Sequence, residues 1–83
     1  MFHKLKKIQT RDNYIIEAEF QNGIKKIYDL KPILKKIEIF KKLKNKNLFN
    51  SAKIDIGGLG IIWNDEIDLS SEEIWNNGIT LNL

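Results

Sequence analysis

Two alternating runs, Tyr14-Ile15-Ile16-Glu17-Ala18-Glu19-Phe20 and Ile24-Lys25-Lys26-Ile27-Tyr28-Asp29-Leu30, meet at Gln21-Asn22-Gly23, and no other feature restricts the fold more. Tyr14, Ile16, Ala18 and Phe20 are apolar while Glu17 and Glu19 sit between them, the period of two expected of a half-buried strand. Asn-Gly between such runs is a hairpin signal. A two-residue loop would set Phe20 against Lys25 and Ile16 against Asp29, mixing the faces. A three-residue loop closed by Gly23 in the left-handed region instead pairs Phe20 with Ile24, Glu19 with Lys25 and Ile16 with Tyr28. The apolar face is then broken only by Lys26, and a slip of one residue would turn it to water.

Around this hairpin the other elements follow from shorter signals. Met1 to Lys4 should fray unless the sheet captures it. Leu5 to Thr10 reads as a first strand anchored by Leu5 and Ile8, its lysines suited to a sheet edge, with Asp12-Asn13 turning into the hairpin. From Lys31 the pattern becomes helical: Pro32 suits a first turn, and Ile33, Leu34 and Ile37 share an inward face. Ile39 and Leu43 fall off that face, so the helix breaks near Ile37 and a second short turn covers Phe40 to Lys44. Asn45-Lys46-Asn47 reads as a surface loop and Leu48-Phe49 as a plug against the sheet.

Ala52, Ile54 and Ile56 alternate into a fourth strand, and Gly57-Gly58-Leu59-Gly60 turns it into Ile61-Ile62-Trp63. Asn64 to Leu69 leaves that strand. Ser70-Ser71-Glu72-Glu73 has the form of a capping box ahead of a helix carrying Ile74 and Trp75, which Gly78 should end in the left-handed region. Ile79, Leu81 and Leu83 alternate with Thr80 and Asn82, so the tail is expected either as an edge strand, here or across a dimer, or as a loose end. The prediction is one α+β domain over residues 1–83, a two-layer arrangement of antiparallel sheet and helices in the order β-β-β-α-(short α)-β-β-α.

A chain of 83 residues has no room for a second core, and at this size folding buries only roughly 60% of the chain's surface, so a partner or an oligomer would add needed stability. With no cysteine there is no disulfide framework, thiolate metal site or thiol nucleophile, which points to an intracellular compartment. No apolar run is long enough to span a membrane, and the N-terminus lacks a signal-peptide core; the cytoplasm is the expected location. The net charge of +3 is unevenly spread. Residues 30 to 53 hold eight basic side chains and one acid, whereas residues 54 to 83 hold six acids and no basic residue. That polarity suits an acidic partner or head-to-tail copies. Abundant lysine, isoleucine and asparagine equally fit a compositional bias in which lysine simply occupies solvated positions.

Catalytic chemistry finds little support. His3 is the single histidine, at an end expected to be solvated, so neither a histidine base nor a multi-histidine metal site can be assembled. Asp65, Glu66 and Asp68 are the best carboxylate cluster, but they lack calcium-loop spacing and are accounted for by a turn and a helix start. The glycine cluster is followed by a strand and no lysine-serine pair, unlike a phosphate cradle. Trp63 and Trp75 lie in the acidic third and are expected in the core rather than stacked on bases. No catalytic, metal or cofactor residue is therefore assigned. Lys31, Lys35, Lys36, Lys41, Lys42 and Lys44 remain as the candidate partner-binding surface; with Lys46 they are also the best nucleic-acid feature, though no recognition helix accompanies them.

Phe20-Gln21-Asn22-Gly23 followed by Tyr28-Asp29-Leu30, then Phe40-x-x-Leu43, Phe49, and Trp63-x-x-x-x-Asp68-Leu69-Ser70 leading into Ile74-Trp75, form a set that resembles the small bacterial proteins of domain of unknown function family 2442. The likeness spans roughly Ile8 to Gly78. It implies three strands, a helical connection, two strands and a final helix, in agreement with the reading above, and carries over no catalytic residue. Some members of that family are encoded beside another short protein in arrangements like toxin–antitoxin pairs, which implies a partner-binding role. The expected function is a non-enzymatic protein-interaction module, an accessory or antitoxin-like member of a small gene pair whose partner is another small protein. Electrostatic, autoregulatory nucleic-acid binding is the alternative, and an enzyme ranks third.

Overall fold

The computed structural model describes residues 2–81. Strands β1 (Leu5–Arg11), β2 (Ile15–Phe20) and β3 (Lys25–Asp29) form an antiparallel meander, followed by α1 (Lys31–Lys36), a 3-10 segment over Glu38–Lys44 and α2 (Lys46–Phe49). A second meander comprises β4 (Lys53–Ile54), β5 (Gly60–Asn64) and β6 (Ile67–Ser70), after which α3 (Ser71–Asn77) leads into β7 (Ile79–Thr80). The class is α+β, and the strands divide between two antiparallel sheets, β1-β2-β3-β7 and β4-β5-β6.

The hairpin has the register that its alternation demands, with Glu19 opposite Lys25 and Ile16 opposite Tyr28. The Phe20 amide donates to the Ile24 carbonyl at 2.8 Å, and Gly23 closes the loop at φ 90°, where a Cβ would be strained. Ile16, Ala18, Phe20 and Tyr28 are buried in one cluster with Leu34, Phe40, Leu43, Phe49, Trp63, Leu69 and Ile74, so the even face of the hairpin is the core face. In β1, Leu5 and Ile8 lie three apart yet meet Phe20 and Ala18 on that same face. A β-bulge at Lys6, where Leu5 to Lys7 oppose the single step from Phe20 to Glu19, absorbs the odd spacing. Trp63 joins the layers: its indole N–H donates to the Phe49 carbonyl at 3.0 Å and its ring meets Phe40 edge-on at 6.1 Å.

Five local expectations need correction. Asn64 to Leu69 does not simply leave the strand, because Asn64 Oδ1 accepts from the Glu66 and Ile67 amides and turns the chain back as β6, burying Ile67 and Leu69. The fourth strand stops at Ile54; Asp55 caps the Ile56 amide at 2.7 Å, the glycines begin their turn early, and Ile56 is 96% exposed. Asn45 to Asn47 is no loop, since the Asn45 side chain accepts from the Asn47 and Leu48 amides and starts α2. Ser70 does cap α3, but through the Glu72 amide at 3.1 Å, while Glu73 turns away to accept from the Tyr28 hydroxyl and Asn77, each at 2.9 Å. Gly78 has an extended backbone, φ −76°, not a left-handed one. Its glycine answers to space: a Cβ would lie 2.5 Å from the Ile74 carbonyl oxygen. The tail is an edge strand at Ile79–Thr80, paired with β3, whereas Asn82 and Leu83 lie outside the described residues.

Removing the Phe20 ring should cost about 3 to 5 kcal/mol, enough to unfold a domain of marginal stability. A urea melt of Phe20→Ala that superimposed on that of the parent would contradict this placement.

Candidate partner-binding surface

Two short helical pieces present the predicted lysines. In α1 the Pro32 ring occupies a first-turn position, Leu34 is buried and Ile33 half-buried, which drives Lys31, Lys35 and Lys36 outward. The 3-10 segment buries Phe40 and Leu43, three residues apart and therefore on the same side of a three-residue turn. Lys41, Lys42 and Lys44 are left on the other sides, so all six lysines are exposed.

Ile37 departs from expectation. Its N–H still bonds to the Ile33 carbonyl at 3.0 Å, but its backbone is extended, φ −111° and ψ 115°, and its side chain leaves the inward face and is 45% exposed. The corner between the two pieces therefore puts an apolar side chain out among lysines, and the half-buried Ile39 lines a shallow hollow beside it with Glu38, Lys41 and Lys42. The off-phase Ile39 and Leu43 signal a break near Ile37 but do not tell on which side of it the helix ends; the structure puts the end at Lys36.

Carboxylates are interleaved with the lysines. Lys31 pairs with Asp29 at 3.0 Å, Lys41 with Glu38 at 2.9 Å and Lys42 with Glu66 at 3.8 Å. The Asp29 carboxyl is slightly desolvated, which by itself would raise its pKa, but hydrogen bonds from the Lys31 amide and ammonium and the charges of Lys31 and Lys35 hold it below the usual range. Glu38 is lowered by the Lys41 hydrogen bond and charge, with Lys44 adding to the effect. The Lys42–Glu66 contact brings the β5–β6 turn of the acidic third against the basic middle, so charges far apart in sequence are partly neighbours in space. Exposed pairs of this kind add little stability.

A second polar cluster lies around Trp75, which sequence reasoning expected in the core and which is only partly buried, and it recruits His3, which was expected to be solvated. The His3 ring stacks on the Trp75 indole at 3.8 Å and 8°, and Glu72 receives the His3 backbone N–H at 2.6 Å and faces its Nδ1 at 3.0 Å. Lys26, the one break in the hairpin's apolar face, is buried; its ammonium donates to the Trp75 carbonyl at 2.6 Å and lies 4.5 Å from the indole centre. With His3 covering one face, Lys26 takes the other, where the cation meets both a π-face and a terminal helix carbonyl. Spacing explains the clasp, since Glu72 and Trp75 lie three apart on α3 and so project together.

Asp65, Glu66 and Asp68 are exposed, and among the described residues no group of three or more acidic, histidine or cysteine side chains is arranged to hold a metal. The backbone of Gly58 runs against β1 so closely that a Cβ would lie 2.8 Å from the Leu5 carbonyl oxygen, which accounts for glycine there without an anion. No described helix is long and apolar enough to cross a membrane.

The family model described as "Protein of unknown function (DUF2442)" matches residues 5–80. The chain belongs to the DUF2442 family. No curated protein and no solved structure matches it. The residues that carry the DUF2442 likeness are mostly those that build the fold: Phe20, Leu30, Phe40, Leu43, Phe49, Trp63, Leu69 and Ile74 are buried, and Ser70 is a helix cap. Their pattern accounts for the architecture and leaves the lysine surface outside it.

The Glu72 carboxyl is held below the usual range first by the His3 backbone hydrogen bond, then by the His3 ring, against a smaller desolvation. A lowered folded-state pKa means that this carboxylate stabilises the fold above its unfolded pKa and that the contribution is lost as pH falls through the folded value. Acidification below about pH 4 should therefore free His3 from Trp75, read as a change in tryptophan fluorescence. In Glu72→Gln that acid step should disappear; its persistence would assign it to another carboxylate.

Proposed function

We propose that this DUF2442 chain is a non-enzymatic, cytoplasmic protein-interaction module, the accessory or antitoxin-like member of a small bacterial gene pair, and that its partner docks on the Lys31 to Lys44 surface. The observation that carries this reading is Ile37, an exposed apolar side chain at a helix corner with Lys35, Lys36, Lys41 and Lys42 close in sequence on either side. An apolar centre within a charged rim is the composition of a protein-binding patch: the centre supplies burial, and the rim supplies steering and selection of partner. A small acidic protein fits it best. The carboxylates of Asp29, Glu38 and Glu66 among the lysines favour a polypeptide, whose charges are mixed and discrete, over the uniform phosphate array of nucleic acid.

The test is co-purification from the native host, followed by titration of the recovered partner against two variants. Exchanging Lys35, Lys36, Lys41 and Lys42 together for glutamine should leave the melting temperature nearly unchanged while slowing association and flattening its salt dependence. Ile37→Asp should weaken binding at least tenfold, chiefly through faster dissociation, with little cost to the free fold. Unchanged affinity of both variants at low salt would remove the site. Recovery of RNA or DNA alone, with a steep salt slope, would replace the reading with nucleic-acid binding.

A further inference from the structure

The four-stranded sheet has two edges, and they differ in kind. β1 carries Lys6, Lys7 and Arg11 and is bulged at Lys6, two devices by which sheets discourage pairing with other chains. At the other edge, β7 and the residue after it, Ile79-Thr80-Leu81, bear no charge, and Ile79 is 74% exposed. In a chain of which 30% is charged, this edge is unguarded.

We propose that β7 is a self-association edge, at which a second copy of this chain pairs antiparallel about a twofold axis and extends the four-stranded sheet into a continuous one. Backbone parity selects the register. The Leu81 amide donates to the Lys25 carbonyl at 2.9 Å, and Lys26 stands opposite Thr80. Residues on an antiparallel ladder exchange hydrogen bonds at every second pair, so Ile79 and Leu81 turn their backbone toward β3 and Thr80 turns its N–H and C=O outward. A twofold axis through Thr80 then lets that residue exchange both bonds with Thr80 of the second copy, and sets Ile79 of each chain opposite Leu81 of the other.

The outer face of the sheet fits that arrangement. Ile27 lies opposite Ile79 and diagonal to Ile15 on β2, so a short apolar stripe reaches the β7 edge, flanked by Glu17 opposite Ile27 and by Lys25, whose carbonyl accepts from the Leu81 amide. A second copy continues the stripe instead of ending it in water. Charge decides between a copy and other occupants of a bare edge. Twofold pairing doubles the charge that an edge brings to the contact and sets residues near the axis close to their own duplicates, and like charges across strands are destabilising. Self-pairing of β1 would bring Lys6, Lys7 and Arg11 of both copies into one contact, whereas β7 brings no charge to it. The one nearby cation on the inner side, Lys26, is already turned into Trp75.

Because so few residues pair, the dimer should be weak, in the range of transient interfaces. Sedimentation velocity of the intact chain from micromolar to millimolar concentration should show a reversible monomer–dimer equilibrium, and exchange of the Thr80 amide should slow as concentration rises. Thr80→Pro removes a donor that β3 does not use, and Ile79→Lys sets like charges near the axis; each should be monomeric throughout, with an unchanged far-UV spectrum. Lys6→Gln should dimerise like the parent. If Thr80→Pro fails to fold, Ile79→Lys, which keeps every backbone donor, decides. A parent that stays monomeric at millimolar concentration overturns the proposal, as does a dimer that survives both variants or leaves Thr80 exchange unprotected. A monomeric parent whose β7 edge instead takes an extended segment of another protein also overturns it.

Discussion

Phe20 sits where most of the molecule's constraints meet. It stands opposite Leu5 across the β1–β2 ladder, closes the hairpin loop through its amide on Ile24, and meets Trp75 of α3 edge-on at 5.0 Å. Its position is fixed by a three-residue loop that gives the two strands one shared apolar face. From that face the rest follows: the bulge at Lys6 adjusts β1 to it, the 3-10 segment offers Phe40 and Leu43 to it, and β5 and β6 bring Ile61, Ile67 and Leu69. In so small a domain the burial at this junction is a large share of the total driving force.

Polar groups inside this junction are held by partners from distant parts of the chain. Lys26 would be costly beneath α3 without the Trp75 carbonyl and ring. The Tyr28 hydroxyl, whose pKa is pushed up by burial first and by Glu73 second, donates to the Glu73 carboxylate, so β3 and α3 share a polar seam beside the apolar one. The same helix also fastens the N-terminus through Glu72 and Trp75. α3, only two turns long, therefore depends on tertiary contacts on several sides, and they in turn fix its rotation about its own axis.

The outer surface follows a different logic. Many core positions are occupied by the residues that carry the likeness to DUF2442, while the lysines between Lys31 and Lys44 occupy what the core leaves over. Their distribution is not arbitrary: a helix that ends at Lys36 and a three-residue period after Glu38 put every lysine outward and release Ile37 with them. The result is a patch whose charge is partly neutralised by Asp29, Glu38 and Glu66. Selectivity in such a patch comes from which charges remain unpaired and from the apolar side chain between them.

Strong local chemistry was legible without coordinates. The alternation from Tyr14 to Leu30, the Asn22-Gly23 loop, the Pro32 helix start, its break near Ile37 and the Ser70 cap each rest on backbone preference or periodicity within a few residues, and the burial of Trp63 and the outward lysines follow from them. What failed in the sequence were side-chain turns at Asn45, Asp55 and Asn64, which compete with other local readings, and features decided by contacts at long range. Asn64 had to turn the chain before Ile67 and Leu69 could be seen as a strand, Glu73 preferred the Tyr28 hydroxyl to its own helix start, and Gly78 was needed for closeness to Ile74 rather than for a left-handed turn. His3 read as a free end because its partners, Glu72 and Trp75, lie at the opposite end of the chain. The sequence alone determined the α+β class, the hairpin register and the identity of the core face, since these depend on a period of two and on loop geometry. Only the tertiary structure decided the division into two sheets, the exposure of Ile37, the inward turn of Lys26 and the uncharged edge at β7, because each depends on which distant element comes to lie beside it.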